Sequence, residues 1–520
     1  MIAAQHAILE DPAAAPATAG GQEQGPEQAG AGWGSVLESF IESLTGPDLP
    51  ARLRAGLIGE GAPLHGPFGP RPLLYADYVA SGRALRQVEE FVLEQVLPYY
   101  ANSHTEASYC GAFCTRLREE ARRAIAGLIG AGPGSAVIFA GSGATAGINR
   151  LARLLDIAGV VARGGKAVVF LGPYEHHSNI LPWRESGAEV IEIAESAEGG
   201  PDLEALAGAL EEHAEADLKI GAFSAASNVT GILADTDTVT RLLKRHGAFA
   251  IWDYAGGAPY LAMDMGEGEA AKDAVVFSPH KFPGGPGASG ILVLRESAVR
   301  VSRPTAPGGG SVRFVSPWGH AYAGSLAARE EAGTPNVVGD IRAALALLVK
   351  QALGQDFIDR RDAELRGRAL AAWRGNPRLE LLGRLEVPRL PIFSFRVRDG
   401  AGGYVHHQLF TRLLSDLHGI QARGGCACAG PYAHRLLGID RAGSAALLAA
   451  LEEGRELERP GWVRLNFSYL MSDADAERVI AAVDSLAWHA GAHAGGYRFD
   501  ARTARFRHQD ELQSLGESLG

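Results

Sequence analysis

Residues 273–294 read DAVVFSPHKFPGGPGASGILVL, two apolar runs separated by a lysine and a glycine-rich turn. The chain holds only six lysines. Lys166 and Lys219 stand at the start of strand-like runs, Lys272 just before one, and Lys244 and Lys350 in helical patterns. Only Lys281 emerges at the carboxyl end of an apolar run. In a parallel sheet that edge is where ligands collect. A lysine held there, partly desolvated beside a flexible turn, lowers its pKa and can form an imine with an aldehyde. A surface lysine on a tight turn is the ordinary alternative, so the neighbouring runs have to decide.

Those runs alternate with helical patterns between about residues 85 and 300: SAVIFA, KAVVFL, EVIEIA, KIGAFSAAS, AFAIWD, DAVVFS and GILVL. The alternation predicts an α/β fold, a mostly parallel seven-stranded sheet covered by helices. A helical stretch from about Asp340 to Ala372 follows. After it come PIFSFRV, a helix near 405–418, GIQARGG, GWVRLNFS and a helix after Ser472, which read as a smaller α+β domain. The predicted organisation is a disordered tail over 1–34, a segment over 35–84 that packs on the small domain, a large domain over 85–335, a small domain over 336–490 and a tail over 491–520. Within the second segment SVLESFIESL reads as a helix and LLYADYVASG as a short strand and turn.

With 520 residues, 46% hydrophobic content and a formal net charge of −11, the chain can bury a large core and lacks the basic footprint of a nucleic-acid binder. A small-molecule partner is expected, with no nucleic acid and no membrane. No apolar run approaches the roughly 20 residues of a membrane span. The first 50 residues hold no Lys or Arg for a targeting peptide, so a cytoplasmic location is expected. Four cysteines are too few for a disulfide framework. A zinc site built from Cys110, Cys114, Cys426 and Cys428 is disfavoured, because the first two lie in a helical pattern far from the others and no histidine pair completes the usual spacings. No metal is expected.

Other strand ends carry matching chemistry. Asp253 closes AFAIW, and a carboxylate there needs a cationic partner, for which a protonated ring nitrogen is suited. GSGATAGINR opens a helix after SAVIFA, and the free amides of Gly143, Ala144 and Thr145 make an anion site for a phosphate. GPYEHHSNILPW supplies histidines with flat rings, and KIGAFSAASNVTG brings Asn228 to the same edge. A lysine, an acid, a phosphate cradle, a ring and an amide are the requirements of pyridoxal 5′-phosphate (PLP).

Over about residues 75–485 the chain resembles the class V aminotransferase group of fold-type I PLP enzymes, and within it the SUF-type cysteine desulfurases and selenocysteine lyases. The motifs, in order, are EHHSNILPW (175–183), SNVTG (227–231), SPHK (278–281), EAGTPN (331–336), RGGCACAGP (423–431) and VRLNFSYL (463–470). The resemblance implies that Lys281 binds the cofactor covalently and shuttles the α-proton, with Ser278 and His280 close to the phosphate. His176 stacks on the ring and counts among the catalytic residues, Asp253 pairs with the ring nitrogen, Asn228 approaches the ring hydroxyl, and Gly143, Ala144 and Thr145 hold the phosphate. Thr334 corresponds to a residue that reaches the partner subunit's phosphate, which implies a homodimer. Arg464, with Arg423 as the alternative, holds the substrate carboxylate. Cys428, five residues after Arg423, is the nucleophile that takes sulfur from cysteine and leaves alanine; a sulfur-acceptor protein is then a possible partner.

The chain departs from that pattern in three places. Gly256 stands where desulfurases carry a glutamine supporting the ring hydroxyl. Cys426 is an extra thiol two residues before Cys428. The chain also carries tails and an insertion around 440–460. These departures keep open an aminotransferase, epimerase or lyase acting on another amino acid. A non-catalytic scaffold is the weaker reading, since it needs none of Lys281, Asp253, His176 and Arg464.

Overall fold

The computed structural model describes residues 36–103 and 105–512. The tail expected over 1–34 and the last eight residues of the tail expected over 491–520 lie outside the described residues.

All seven apolar runs are strands: β1 (Ser135–Gly141), β2 (Ala167–Leu171), β3 (Glu189–Glu192), β4 (Leu218–Ser224), β5 (Phe249–Asp253), β6 (Ala274–Phe277) and β7 (Gly290–Arg295). They form one sheet in the order β1-β7-β6-β5-β4-β2-β3. The pairs among β2 to β6 are parallel, whereas β7 runs antiparallel to both of its neighbours. A connection of residues 278–289, without a crossover helix, joins β6 to β7, so the chain must turn back on itself there. That reversal is the glycine-rich segment carrying Lys281.

The central strands read as unbroken apolar runs because both faces of the sheet are covered. Side chains alternate between two cores: Val168, Phe170, Phe223, Trp252 and Val275 in one, Val169, Leu171, Ile220, Ile251 and Val276 in the other. Helix α1 (Tyr109–Leu128) supplies Ala121 and Ile125 to the first. Helix α2 (Gly143–Leu154) covers the second with Ile148 and Leu151. The fit is close: a Cβ at Gly147 would lie 3.2 Å from Val276 Cγ1.

The helical stretch expected as one piece from Asp340 to Ala372 is two helices, α3 (Val337–Leu353) and α4 (Gln355–Trp373). Gly354 separates them with φ +80°, a conformation that glycine takes without strain and that ends a right-handed helix. Beyond α4 a smaller antiparallel sheet, β8 (Leu379–Leu381), β9 (Ile392–Arg398), β10 (Arg423–Gly425) and β11 (Trp462–Asn466), is ordered β8-β9-β11-β10. Its core gathers Trp373, Phe393, Phe395, Phe410 and Phe467 against α5 (His407–His418) and α7 (Asp473–Ala494), with α6 (Arg441–Glu452) in the insertion.

The chain before residue 85 joins both parts. Leu74–Tyr75 pairs in parallel with Ile420–Gln421, while Leu37 and Phe40 of the helix Val36–Ser43 enter a core shared with Phe91, Ile341 and Val349. Near the other end, YRFD forms a hairpin, Tyr497–Asp500 with Arg505–His508, and Tyr497 Oη donates to Asp416 Oδ2 at 2.8 Å.

Candidate active site

The carboxyl ends of the parallel strands open into a cavity of about 560 Å³ between the two sheets. Strand ends of the large sheet bring Gly143, Ala144, Thr145, His176, Asn228, Asp253, Ser278, His280 and Lys281 to its wall; the smaller sheet and its loops bring Arg423, Cys428 and Arg464. Gly256 lines it too. Of the residues singled out in the sequence, Cys426 does not line the cavity, and Thr334 lies exposed in the loop before α3.

Lys281 ends the 3₁₀ turn Pro279–Lys281. Burial lowers its pKa to about 8 even though the Asp253 carboxylate pulls the other way, so at neutral pH the amine exchanges readily between its two forms. Among the described residues no hydrogen bond or ion pair occupies Nζ. The turn is fixed from the N-terminal segment: Gly82 N donates to His280 O at 2.9 Å, and a Cβ on Gly82 would sit 1.9 Å from Phe282 O. Asp253 is buried, with Oδ1 accepting from Ala255 N at 2.7 Å; desolvation raises its pKa while Lys281 opposes the rise.

On the same wall α2 begins with Gly143 at φ +64°. Ala144 N donates to Ser278 Oγ at 2.9 Å, and Thr145 Oγ1 lies 2.7 Å from Ser178 Oγ. Ser178 continues to His176, whose Nδ1 is 3.0 Å from Ser178 Oγ. Burial, then the charge of Lys281, lowers the pKa of His176 to about 4, so its ring is neutral and can lie flat against another ring without a charge to solvate. His280 is likewise lowered to about 4 by burial and Lys281.

On the small-domain side Arg464 is buried and makes two contacts: Nη2 with Asp77 Oδ1 at 3.0 Å and Nη1 with Asn228 O at 3.0 Å. Its buried Nε has no hydrogen-bond partner among the described residues. Arg423 reaches the other oxygen of the same carboxylate, Nε to Asp77 Oδ2 at 3.0 Å, with its side chain about half exposed. The cysteine loop crosses above. Asn228 Nδ2 donates to Ala427 O at 2.9 Å, so this amide, expected at a ring hydroxyl, also holds the loop. His177 N donates to Cys428 O at 2.8 Å, and Gly430 N donates to His177 Nε2 at 2.8 Å.

Two participants escape the sequence. Asp77 follows the strand Leu74–Tyr75 and joins the two arginines, although 387 positions separate it from Arg464. An acid at a strand end was its only local signal. Glu175, beside His176, is buried and accepts from Asn179 Nδ2, Ser224 N and Ser224 Oγ at 2.6, 2.8 and 2.5 Å; burial nevertheless pushes its pKa up to about 7.

The aminotransferase class-V family model matches residues 74–479, which include every wall of this cavity. The chain belongs to that family. It is similar to a probable cysteine desulfurase of Vibrio cholerae, 30% identical over 420 residues that span 79% of this chain and 93% of the relative. A cysteine desulfurase of Pectobacterium carotovorum is 30% identical over 366 residues, 69% of this chain and 85% of that protein. Among solved structures, the cysteine desulfurase CsdA of Escherichia coli in its S-sulfonic acid form superposes with a TM-score of 0.63 at 25% identity, covering 84% of this chain and 98% of that one. The fold is therefore the fold-type I architecture expected from the sequence, and the family is one of PLP-dependent enzymes. Among the described residues no helix is long and apolar enough to cross a membrane.

Proposed function

We propose that this protein is a PLP-dependent cysteine desulfurase, or the corresponding lyase of selenocysteine, that converts its substrate to alanine and carries the released sulfur on Cys428. The observation that carries this reading is the presence of Cys428 on the wall of the cavity that also holds Lys281 and Arg464. The residues fit PLP: an amine without a hydrogen-bond partner among the described residues, a buried carboxylate, a neutral imidazole, and a helix start with a glycine at positive φ, where a Cβ would meet Ser278 Oγ at 3.0 Å. When bound, PLP supplies the electron sink that lets bonds to the substrate's carbon atoms break.

The chain's own residues do the rest. Gly143, Ala144, Thr145, Ser278 and His280 would hold its phosphate, His176 would stack on its ring, Asp253 would keep the ring nitrogen protonated and Asn228 would approach the ring hydroxyl. Arg464 offers its free Nε and planar donor face to the substrate carboxylate, and Arg423 is the second guanidinium within reach. Lys281, near its own pKa at neutral pH, holds and returns the α-proton. The Cys428 thiolate bonds to the substrate sulfur as the Cβ–S bond breaks; Cβ takes a proton, and the persulfide stays on Cys428. Thr334, remote from this chain's own cavity, serves a second copy in a homodimer, and the enzyme works in the cytoplasm with a thiol protein as sulfur acceptor.

Purified protein loaded with PLP and given L-cysteine and a reducing thiol is expected to form alanine and sulfide in equal amounts. Neither product from L-cysteine or selenocysteine, in protein that binds PLP, would overturn this reading. It would favour the second one, another class V reaction on a different amino acid. Gly256 supports that alternative, because at the cavity wall it offers no side chain to the ring hydroxyl.

A further inference from the structure

The second thiol, Cys426, is not used by the reaction just described. Ala429 N donates to Cys426 O at 3.2 Å, while Ala427 and Cys428 adopt φ of 54° and 55°. Residues 426–429 are thus a turn with both central residues left-handed, the type I′ arrangement, which Ala and Cys adopt only at a cost in backbone strain. Two residues apart, the two Cα atoms can be no more than about 7 Å from each other, and a turn brings them within the roughly 4.4–6.8 Å across which cysteine sulfurs bond.

The turn places the two thiols in different surroundings. Cys428 is exposed and lines the main cavity, near enough to Arg464 for their charges to interact. Cys426 is half-buried and packs against a cluster that includes Tyr432 and Trp462. It interacts electrostatically with Arg459. Arg459 and Trp462 line a second cavity of about 380 Å³. Its other walls include Arg396, His406, His407 and Leu447, the last from the inserted helix α6. Gly425, the residue before Cys426, is paired with Trp462 across β10 and β11. The indole Nε1 of Trp462 is buried and has no hydrogen-bond partner among the described residues. Cys428 thus lines the first cavity, while Cys426 lines neither and sits beside two residues of the second, Arg459 and Trp462.

We propose that Cys426 is a second sulfur carrier, which takes the sulfane sulfur from Cys428 and holds it beside Arg459 and Trp462 for an acceptor bearing a thiol. This rests on the desulfurase reading. In the transfer, the Cys426 thiolate attacks the outer sulfur of the Cys428 persulfide; the old S–S bond breaks, a new one forms on Cys426, and Cys428 leaves as a thiolate. One disulfide-type bond replaces another, so no oxidant or reductant is consumed. Cys428 is then free for a second substrate before any acceptor has arrived.

The test is the burst of alanine formed by the PLP-loaded enzyme from excess L-cysteine with no added reductant or acceptor, together with persulfide mapping by mass spectrometry. Wild type is expected to release two alanines per chain and carry sulfane sulfur on both cysteines. Cys426→Ser should release one and carry sulfur on Cys428; Cys428→Ser should release none. Retained visible absorbance of the bound cofactor shows that each variant is folded. A wild-type burst of one alanine per chain, with sulfur on Cys428 alone and Cys426→Ser indistinguishable, overturns the relay while leaving the desulfurase intact. No alanine and no persulfide in wild type would overturn the desulfurase reading itself.

Discussion

The two walls of the active cavity are built differently. On the large-domain wall Lys281, Asp253, His176 and the Gly143 turn sit at the ends of buried strands, where desolvation sets their charge states: an amine lowered to about 8, an imidazole lowered to about 4, a carboxylate raised. On the small-domain wall the groups are arginines sharing one carboxylate and a cysteine on a turn with two left-handed residues. The first wall stands on buried strand ends and gathers the groups a cofactor requires, although Gly256 offers no side chain there. The second is a loop held by hydrogen bonds with Asn228 and His177, and it carries Cys426 as well as Cys428. Rigid strand ends fix the type of chemistry, and the loop facing them decides what the chemistry is done to.

If the division holds, damage to the first wall should stop the reaction outright. Lys281→Ala is expected to lower turnover by about 10²- to 10⁴-fold, the worth of a positioned acid–base group, while PLP still binds noncovalently in equimolar amount through the Gly143 turn. Steady-state rates together with cofactor content after gel filtration check this. Residual turnover near wild type would break the comparison.

Damage to the second wall should be felt by the substrate. Arg464→Ala removes a charge-assisted contact worth roughly 2–3 kcal/mol, so KM for the amino acid should rise about 30- to 160-fold with PLP content unchanged. An unaltered KM would assign the carboxylate to Arg423. Smaller still is the effect expected at the hinge between the walls. A Cβ at Gly82 would collide with the backbone at Phe282 O, so Gly82→Ala should displace the Lys281 turn, cost on the order of 2 kcal/mol in stability and change the visible absorbance of bound PLP. Thermal unfolding and the spectrum measure both.

Much of this division was legible in the chain itself. The apolar runs and the polar residues that end them mark the large sheet, because strand burial and strand-end chemistry are local properties. The pairing of Asp77 with Arg464 and Arg423 was not legible, since it joins segments far apart that meet only when the small sheet closes over the strand ends. The break at Gly354 was hidden for another reason: a helix tolerates one glycine at a cost of about 1 kcal/mol, so periodicity alone does not place a stop there. The hairpin from Tyr497 to His508 alternates too briefly, among too many charges, to stand out.

A pH slope is also expected on the first wall. The pKa of Glu175 is raised from 4.5 to about 7 in the folded protein, so over that interval the folded state binds more protons than the unfolded chain. Its contribution to stability is complete below about pH 4.5 and lost as pH rises through 7. His176 and His280, lowered to about 4, act in the opposite sense, and their contribution is lost as pH falls from 6.5 towards 4. Glu175→Gln should therefore leave a stability that rises more steeply with pH between 4.5 and 7 than in wild type, by up to about 3 kcal/mol over the interval. Urea titrations at several pH values would show it, and parallel profiles would contradict the burial of a titrating Glu175.

The most direct test of the account is sulfide release from L-cysteine by Cys428→Ser, assayed with a reducing thiol present and with the visible absorbance of bound PLP recorded on the same sample. Sulfide release is expected to vanish while the absorbance is unchanged, because Cys428 acts on the substrate's sulfur and holds no part of the cofactor. Full sulfide release by this variant would contradict the assignment of sulfur to the loop thiol that faces Lys281 and Arg464.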